Sequence, residues 1–164
     1  ASRATSDFTR PATLDDALIL FAWRNDPETR RQSRNQDEIL WETHLRWLER
    51  ATRPKPDELG THLWIGYHGE WPIGTGRIDA SLSSREVSLT IAPVYRGKGY
   101  ARPLLRALIG TDVARPLTAE IRVQNRRSLI TFLKCGFFPY QVIDGLVFLA
   151  YNDAEEILDR RTHG

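Results

Sequence analysis

The chain has 164 residues, which suits one domain and leaves little room for two. Hydrophobic residues make up 41% and charged residues 27%, a balance that allows a buried core and excludes a disordered chain. The formal net charge of +2 is too small to indicate a nucleic-acid-binding protein, and the single cysteine, Cys135, excludes an intrachain disulfide framework.

No apolar run is long enough to span a bilayer, and the first ten residues lack the apolar centre of a secretory signal. We therefore expect one domain over residues 1–164, located in the cytoplasm as a monomer or homodimer. We expect neither nucleic acid nor a membrane among its partners, and no bound metal.

The first part of the chain predicts one strand followed by helices. Residues 8–12 have the composition of a short strand. Thr13 is a good N-cap for a helix whose apolar residues recur at helical spacing, namely Leu14, Ala17, Leu18, Phe21 and Ala22. Pro27 suits the first position of a second helix, and residues 41–48 form a third apolar stripe.

The remainder predicts a sheet interrupted by two helices. Residues 62–68, 72–80 and 85–92 form a three-strand meander, and Val87, Leu89 and Ile91 alternate with polar neighbours. A helix follows Gly99, and residues 117–123 are another strand.

The last elements predict a helix and a hairpin. Asn125 begins the helix and Gly136 ends it. Asp144-Gly145 is a two-residue hairpin turn, and a short helix follows from Asp153. The fold class is therefore α/β (α+β), with one mixed, mostly antiparallel sheet flanked by helices. Its single parallel pair is formed by the strands on either side of the helix that follows Gly99.

One segment predicts a phosphate-binding loop between a strand and a helix: Arg96, Gly97, Lys98, Gly99, Tyr100 and Ala101. Glycines allow close approach of a ligand to the backbone, and the free N–H groups of a helix start attract anions. A P-loop is excluded because Gly97-Lys98 is followed by Gly99 and Tyr100, where the motif requires serine or threonine directly after the lysine. A Rossmann fingerprint lacks its third glycine at Arg102, although Glu120 has a suitable spacing for a ribose contact. A glycine turn with solvated cations remains as an alternative.

A second motif links the chain to a known family. Arg96, Gly99 and Ala101 resemble the pyrophosphate signature of the GNAT acetyltransferase superfamily. A second element of that family, from an asparagine to a Gly-Phe pair, is matched by Asn125, Ser128, Phe132, Lys134, Gly136 and Phe137. The resemblance covers nearly the whole chain and implies an acetyl-CoA-dependent N-acetyltransferase.

The resemblance also implies how the co-substrate acetyl-CoA is held. Backbone N–H groups of residues 96–101 would bind the pyrophosphate, and the backbone of Thr90 and Ile91 would pair with the pantetheine arm. A bulge within residues 88–90 would present an oxyanion donor. Asn125, Ser128 and Phe132 would line the same arm.

For catalysis we expect Glu86 as the first candidate for a general base, beside Ser88 on the polar face of its strand. Many members of the family have a tyrosine at the position of Phe132, which protonates the leaving thiolate. Phenylalanine lacks that proton, so Tyr151 or Ser128 would have to replace it. The missing tyrosine is also the one argument for a non-catalytic acyl-CoA sensor.

The acceptor is expected to be a small-molecule amine, bound by the first helices. This region resembles acetyltransferases of nucleotide-linked amino sugars in the pseudaminic acid route, and more loosely those of ribosomal-protein N-termini. The candidate acceptor residues are Trp23, Arg24, Asn25, Arg30 and His44. Arginines can bind a diphosphate and tryptophans can stack on a ring, whereas His44 on an apolar stripe also suits the core.

Overall fold

The computed structural model describes residues 8–55 and 57–152. Within them the chain forms seven strands, β1 to β7: Thr9–Pro11, Gly60–His68, Trp71–Ala80, Arg85–Ile91, Leu117–Arg122, Phe138–Ile143 and Leu146–Tyr151. It forms five α-helices, α1 to α5: Ala17–Asn25, Pro27–Gln32, Trp41–Thr52, Ala101–Ile109 and Arg126–Lys134. None of these helices is long and apolar enough to cross a membrane. The helix predicted from Asp153 lies outside the described residues.

The seven strands form one sheet in the order β1-β2-β3-β4-β5-β7-β6. All neighbouring pairs are antiparallel except β4 and β5, which flank α4 and run parallel. This topology confirms the predicted α/β fold and its single parallel pair. The hairpin turn is also confirmed, since Asp144 and Gly145 have φ values of 50° and 76°, as a two-residue turn of this type requires.

An apolar core lies on each face of the sheet. On one face α4 and α5 pack against Val87 and other strand residues, and on the opposite face α1 and α3 pack against Leu63 and Ile65. Directly paired residues of neighbouring strands lie on the same face of a sheet. Leu63 pairs with Arg77, and Arg77 pairs with Ser88, so Ser88 lies on the same face as Leu63. Alternate residues of β4 point the same way, so the predicted polar face of β4 looks toward α1 and α3.

The apolar stripe predicted for the first helix is only partly right. Ala17 is buried as predicted, but Leu14 and Leu18 are 48% and 75% exposed, and the buried positions that follow Ala17 are Leu20 and Trp23. The cause is a 3-10 turn at Leu14–Asp16, which Thr13 caps in a capping box with Asp16. Because this turn has three residues per turn, α1 begins only at Ala17 and presents a different face to the core.

The bulge expected within residues 88–90 is absent from the ladder between β3 and β4. Their register runs without a shift from the pair Gly74 and Ile91 to the pair Ala80 and Arg85. A bulge would place two residues of β4 opposite one of β3, and no such step occurs in these strands. Any free N–H group on β4 must therefore come from the ordinary alternation of the strand.

Candidate functional site

The site is built around an opening between β4 and β5. The two strands share one bridge, between Glu86 and Thr118, although both continue beyond it. The part of β4 that follows Glu86 therefore has a strand partner on the β3 side alone. We call this opening, between residues 87–91 of β4 and residues 119–122 of β5, the seam.

Backbone N–H groups line the β4 side of the seam. Ala92 donates its N–H to the carbonyl of Ile73, which fixes the alternation of the ladder between β3 and β4. Hydrogen-bonded pairs alternate in an antiparallel ladder, so Thr90 also points its N–H toward β3. Leu89 and Ile91 then point theirs into the seam. Ile91 keeps the predicted position for pairing with an extended ligand, whereas the backbone of Thr90 faces the other way.

The glycine loop lies where β4 leads into α4. Gly97 and Gly99 have φ values of 73° and 85°, a region that side chains with a Cβ disfavour. A Cβ on Gly99 would meet no atom within 4 Å, so the loop is open to solvent at that point. The next residue, Tyr100, caps α4 without a side-chain hydrogen bond. The first N–H groups of α4 therefore remain available to an anion.

The side chain of Arg96 points away from this opening and fastens the loop to α2. Its Nη2 donates to Asp26 Oδ2 at 2.7 Å and to Thr29 Oγ1 at 3.0 Å. Burial opposes the ionisation of Asp26, but the hydrogen bonds from Arg96 and Thr29 lower its pKa below the usual value. Arg96 thus has a carboxylate partner, and Lys98 lies with its Nζ 5.9 Å from the ring centre of Tyr95.

Two carboxylates lie beside the seam, on the face of the sheet that looks toward α1 and α3. Arg34, between α2 and α3, donates from Nη2 to both oxygens of Glu86, at 3.0 and 2.8 Å. Its Nε donates to Glu120 on β5 at 2.6 Å. One guanidinium therefore holds together carboxylates from the two strands that diverge. The Glu86 side chain is 29% exposed and that of Glu120 is 16% exposed, so water reaches both.

The three predicted catalytic residues do not lie together. Glu86 and Ser88 share the face of the sheet that looks toward α1 and α3. Tyr151 pairs with the core residue Leu117, and its ring lies 5.4 Å from that of Phe137 on the opposite face. Phe132 is also on that opposite face, with 2% of its surface exposed and its ring 4.9 Å from Phe137.

Arg24 forms the centre of a partly buried cationic cluster. Its guanidinium lies 4.5 Å from the ring centre of Trp47, and Arg77 lies 5.7 Å from the same ring. Burial, together with the positive charge of Arg77, lowers the pKa of Arg24 to about 10. Arg77 has an acidic partner in Asp79 at 2.8 Å. Among the described residues no carboxylate forms an ion pair with Arg24, which leaves a charge suited to an anionic ligand.

His44 is fully buried and contacts the guanidinium of Arg24. Its Nε2 lies 3.0 Å from the carbonyl oxygen of Ala17, and its Nδ1 lies 3.3 Å from Arg24 Nη1. A carbonyl accepts and a guanidinium donates, so a neutral ring protonated on Nε2 satisfies both contacts. Burial lowers the pKa of His44, and the charge of Arg24 acts in the same direction. His44 has no exposed surface through which to touch an acceptor in this structure.

The other predicted acceptor residues, Trp23, Asn25 and Arg30, do not form one site with Arg24 and His44. Trp23 is 6% exposed and belongs to the core between α1, α3 and the sheet. Asn25 holds the segment before α3 through two hydrogen bonds with the backbone of Ile39, at 2.9 and 2.7 Å. Arg30 has a buried Nε without a hydrogen-bond partner among the described residues. Of the five predicted residues, the structure brings Arg24 and His44 into contact.

The N-terminus of α5 follows the end of β5. Asn125 caps this helix through Oδ1, which accepts from the Ser128 backbone at 3.4 Å. Cys135, at the end of α5, packs against the core, and burial raises the pKa of its thiol. An inert thiol rather than a nucleophile is the consequence.

A second concavity lies at the other end of α4. It encloses about 470 Å³ between β1, the end of α3 and the start of β2, and its lining includes Pro11, Thr52 and Asp112. Its lining includes none of residues 87–91 of the seam and neither Gly97 nor Gly99 of the glycine loop. Within residues 8–55 and 57–152, no three His, Cys, Asp or Glu side chains are grouped so that they could hold a metal ion.

Comparison with known proteins points to one family. Residues 8–138 match the family described as an acetyltransferase (GNAT) domain. The chain is 31% identical over 123 residues to the uncharacterized N-acetyltransferase YfmK of Bacillus subtilis (strain 168). That match covers 73% of this chain and 76% of the relative.

Solved structures share the fold at lower identity. An aminoglycoside acetyltransferase in complex with coenzyme A is 16% identical, with a TM-score of 0.74 over 97% of this chain and 99% of the other. Spermidine N-acetyltransferase from Vibrio cholerae, in complex with CoA and spermine, is also 16% identical. Its TM-score is 0.71, and the match covers 87% of this chain and 93% of that one.

Sequence reasoning missed several residues that line the site. The sequence pattern indicates Glu120 only for a ribose contact, and it gives no role to Arg34 or Arg77. Arg34 reaches Glu86 and Glu120 across 52 and 86 positions of the chain, a separation that local patterns do not encode. The alternation of β5 was the one available signal, because it places Glu120 on the same face as Thr118.

Proposed function

This chain belongs to the GNAT family of acetyltransferases, and we propose that it transfers the acetyl group of acetyl-CoA to a primary amine of a small molecule. A nucleotide-linked amino sugar is the acceptor that we favour. The observation that supports the proposal most strongly is the seam. It places unpaired strand N–H groups directly before a glycine loop and an uncapped helix start.

The described residues suit acetyl-CoA, which supplies the acetyl thioester when bound. The N–H groups of Gly97, Gly99 and the start of α4 suit the pyrophosphate, because backbone N–H groups at a helix start bind phosphate well. Leu89 and Ile91 have N–H groups that can pair with an extended pantetheine arm as a neighbouring strand would. Of these two residues Leu89 is the nearer to Glu86 along β4, and its N–H is our candidate oxyanion donor.

Glu86 is our candidate for the general base, with Glu120 as its neighbour. An alkylammonium has a pKa of about 10 and must lose a proton before it attacks a thioester. A carboxylate at the seam can accept that proton directly or through one water. Both carboxylates are bound to Arg34 in this structure, so Arg34 must release one of them before it acts.

The leaving thiolate does not need a proton from the residue at position 132, where this chain has Phe132. Thiols titrate near ~8.5, so coenzyme A can depart as a thiolate close to neutral pH. Tyr151 lies on the far face of the sheet, and Ser128 lies at the start of α5. We therefore propose that departure without a tyrosine makes the rate depend on the base and on the oxyanion donor.

The acceptor surface supports an anionic amine over a polycation. Spermine, which is bound to one of the similar structures, is a polycation that favours acidic surroundings. Here Arg24 and Arg77 flank Trp47 on the face that carries Glu86 and Ser88. Arginines bind a diphosphate in a bidentate manner, and an indole can stack on a base or sugar ring. This combination suits a nucleotide-linked amino sugar.

The test is release of free thiol from acetyl-CoA in the presence of matched amines. The panel contains a UDP-linked 4-amino sugar, the same amino sugar without its nucleotide, spermidine, kanamycin and a short peptide with a free N-terminus. We expect the nucleotide sugar to react fastest, with kcat/KM at least about tenfold above the free sugar, since a charge-assisted contact contributes about 1.5–3 kcal/mol. Substitution of Arg24 by Gln should reduce that preference.

Each other outcome changes the proposal in a defined way. If spermidine or kanamycin reacts fastest, the anionic acceptor is refuted, but the proposal that the chain is an acetyltransferase of small amines stands. Reaction with the peptide alone would favour the protein N-terminal alternative. Binding of acetyl-CoA without thiol release from any amine would favour a sensor of acyl-CoA.

A further inference from the structure

Arg127 lies against the glycine loop although it belongs to another element. A Cβ built on Gly97 would be 3.4 Å from Arg127 Nη2 and 3.5 Å from its Cζ. The guanidinium of Arg127 on α5 therefore lies beside Gly97 of the loop. Arg127 is exposed, and within residues 8–55 and 57–152 its guanidinium forms no hydrogen bond or ion pair.

The neighbouring cation that matches the family signature is already neutralised. Arg96 is bound to Asp26, so its charge is balanced within the protein. The segments around the loop contain no other carboxylate that could balance Arg127. Residues 87–111 and residues 121–143 each contain four Lys or Arg and no Asp or Glu. These cations are dispersed along the chain. Because α5 packs beside α4, Arg127 comes to lie next to the glycine loop.

We propose that Arg127 binds a phosphate group of the coenzyme from the α5 side of the loop. The inference rests on the proposed function, because it assumes that residues 96–101 bind acetyl-CoA. A guanidinium presents paired donors that match phosphate oxygens. Arg127 also supplies an unbalanced positive charge, whereas the charge of Arg96 is balanced by Asp26. Gly97 is thereby the residue of the loop that Arg127 lies beside, at 3.4–3.5 Å from the position of a Cβ.

The test compares two adjacent arginines by isothermal titration with acetyl-CoA. Arg127→Gln removes the proposed contact, and Arg126→Gln removes an equally exposed charge about 100° away around the same helix. We expect a Kd about tenfold weaker for Arg127→Gln and within about twofold of wild type for Arg126→Gln. Added salt should weaken the wild type more than Arg127→Gln, because screening acts on the charge that the variant lacks.

A second titration with 3′-dephospho-acetyl-CoA identifies the phosphate. An equal loss for both ligands assigns Arg127 to the pyrophosphate, and a loss confined to acetyl-CoA assigns it to the 3′-phosphate. Wild-type affinity in Arg127→Gln, or the same loss in Arg126→Gln, overturns the inference and leaves the proposed function intact. Absence of acetyl-CoA binding by the wild type would refute both.

Discussion

At the scale of single residues, Glu86 has two possible effects, acceptance of a proton from the amine and an ion pair with Arg34, and substitutions can separate them. Glu86→Gln keeps the shape of the side chain but cannot accept a proton. If Glu86 is the base, kcat/KM should fall about a hundredfold to ten-thousandfold, while the Kd for acetyl-CoA changes little. The matched variant is Glu120→Gln, which loses the same interaction with Arg34. A larger fall in Glu120→Gln would transfer the role to Glu120.

His44 makes the stability of the folded chain depend on pH. Burial lowers the pKa of His44 below its usual 6.5, so the folded state takes up its proton later than the unfolded state as pH falls. The free energy of unfolding should therefore decrease as pH falls through about 6.5, by at most about 1.4 kcal/mol per pH unit.

Urea unfolding at pH 7.5 and pH 5 measures this dependence in three proteins. His44→Gln is expected to lower stability overall but to flatten its decrease toward pH 5. His68→Gln is the control, because that side chain is exposed, and it should leave the wild-type decrease unchanged. Equal decreases in wild type and His44→Gln would contradict the role given to His44.

At the scale of elements, Asp26 connects the glycine loop to α2. It accepts from Arg96 and also caps α2 through the backbone of Thr29. Asparagine caps a helix equally well, so Asp26→Asn removes the charge and keeps the cap. We expect a loss of about 1–2 kcal/mol in unfolding free energy at pH 7, because a partly buried partner then lacks its counter-charge.

The pH dependence identifies that contribution as electrostatic. The folded-state pKa of Asp26 is lowered, so its contribution is complete above the usual value of 3.8 and is lost as pH falls through the lowered pKa. The difference between wild type and Asp26→Asn should shrink toward acid. Glu28→Gln on the same helix is the comparison. Arg31 also lowers the pKa of Glu28, but that side chain is 44% exposed against 17% for Asp26, so its effect on stability should be smaller. Equal stability of Asp26→Asn and wild type at pH 7 would remove Arg96 from this role.

The glycine loop offers a variant with a matched control elsewhere in the fold. Gly99 and Gly145 have similar φ values, 85° and 76°, and a Cβ on either meets no atom within 4 Å. Valine at each position should cost a comparable backbone strain, about 1–2 kcal/mol. We expect Gly99→Val to abolish detectable acetyl-CoA binding by titration and Gly145→Val to bind normally. Normal binding by Gly99→Val would refute the position given to the pyrophosphate.

At the scale of the whole molecule, local patterns predicted most of the architecture. The alternation around Val87 predicted β4 and its buried face, and Asp144-Gly145 predicted the last hairpin. Asn125 was expected to begin α5, and it does so as the N-cap. These successes share a cause, since each depends on hydrogen bonds and burial within a few residues of the chain.

The errors and omissions come from contacts between distant segments. The stripe of the first helix is only partly right because a 3-10 turn precedes it, and Leu18 is exposed as a result. The Arg96 signature predicted a loop but not its partner Asp26, which lies 70 positions away. The position of Tyr151 on the far face depends on the pairing of β7 with β5. Periodicity has no information on these pairings, which tertiary packing decides.

In our proposal the seam and the glycine loop together form the acetyl-CoA site. Amide hydrogen exchange of the purified protein, with and without saturating acetyl-CoA, tests it most directly. We predict slower exchange at Leu89, Ile91 and residues 97–102, and unchanged exchange in β6. Slower exchange confined to the concavity lined by Pro11, Thr52 and Asp112, or no change anywhere, would contradict the account.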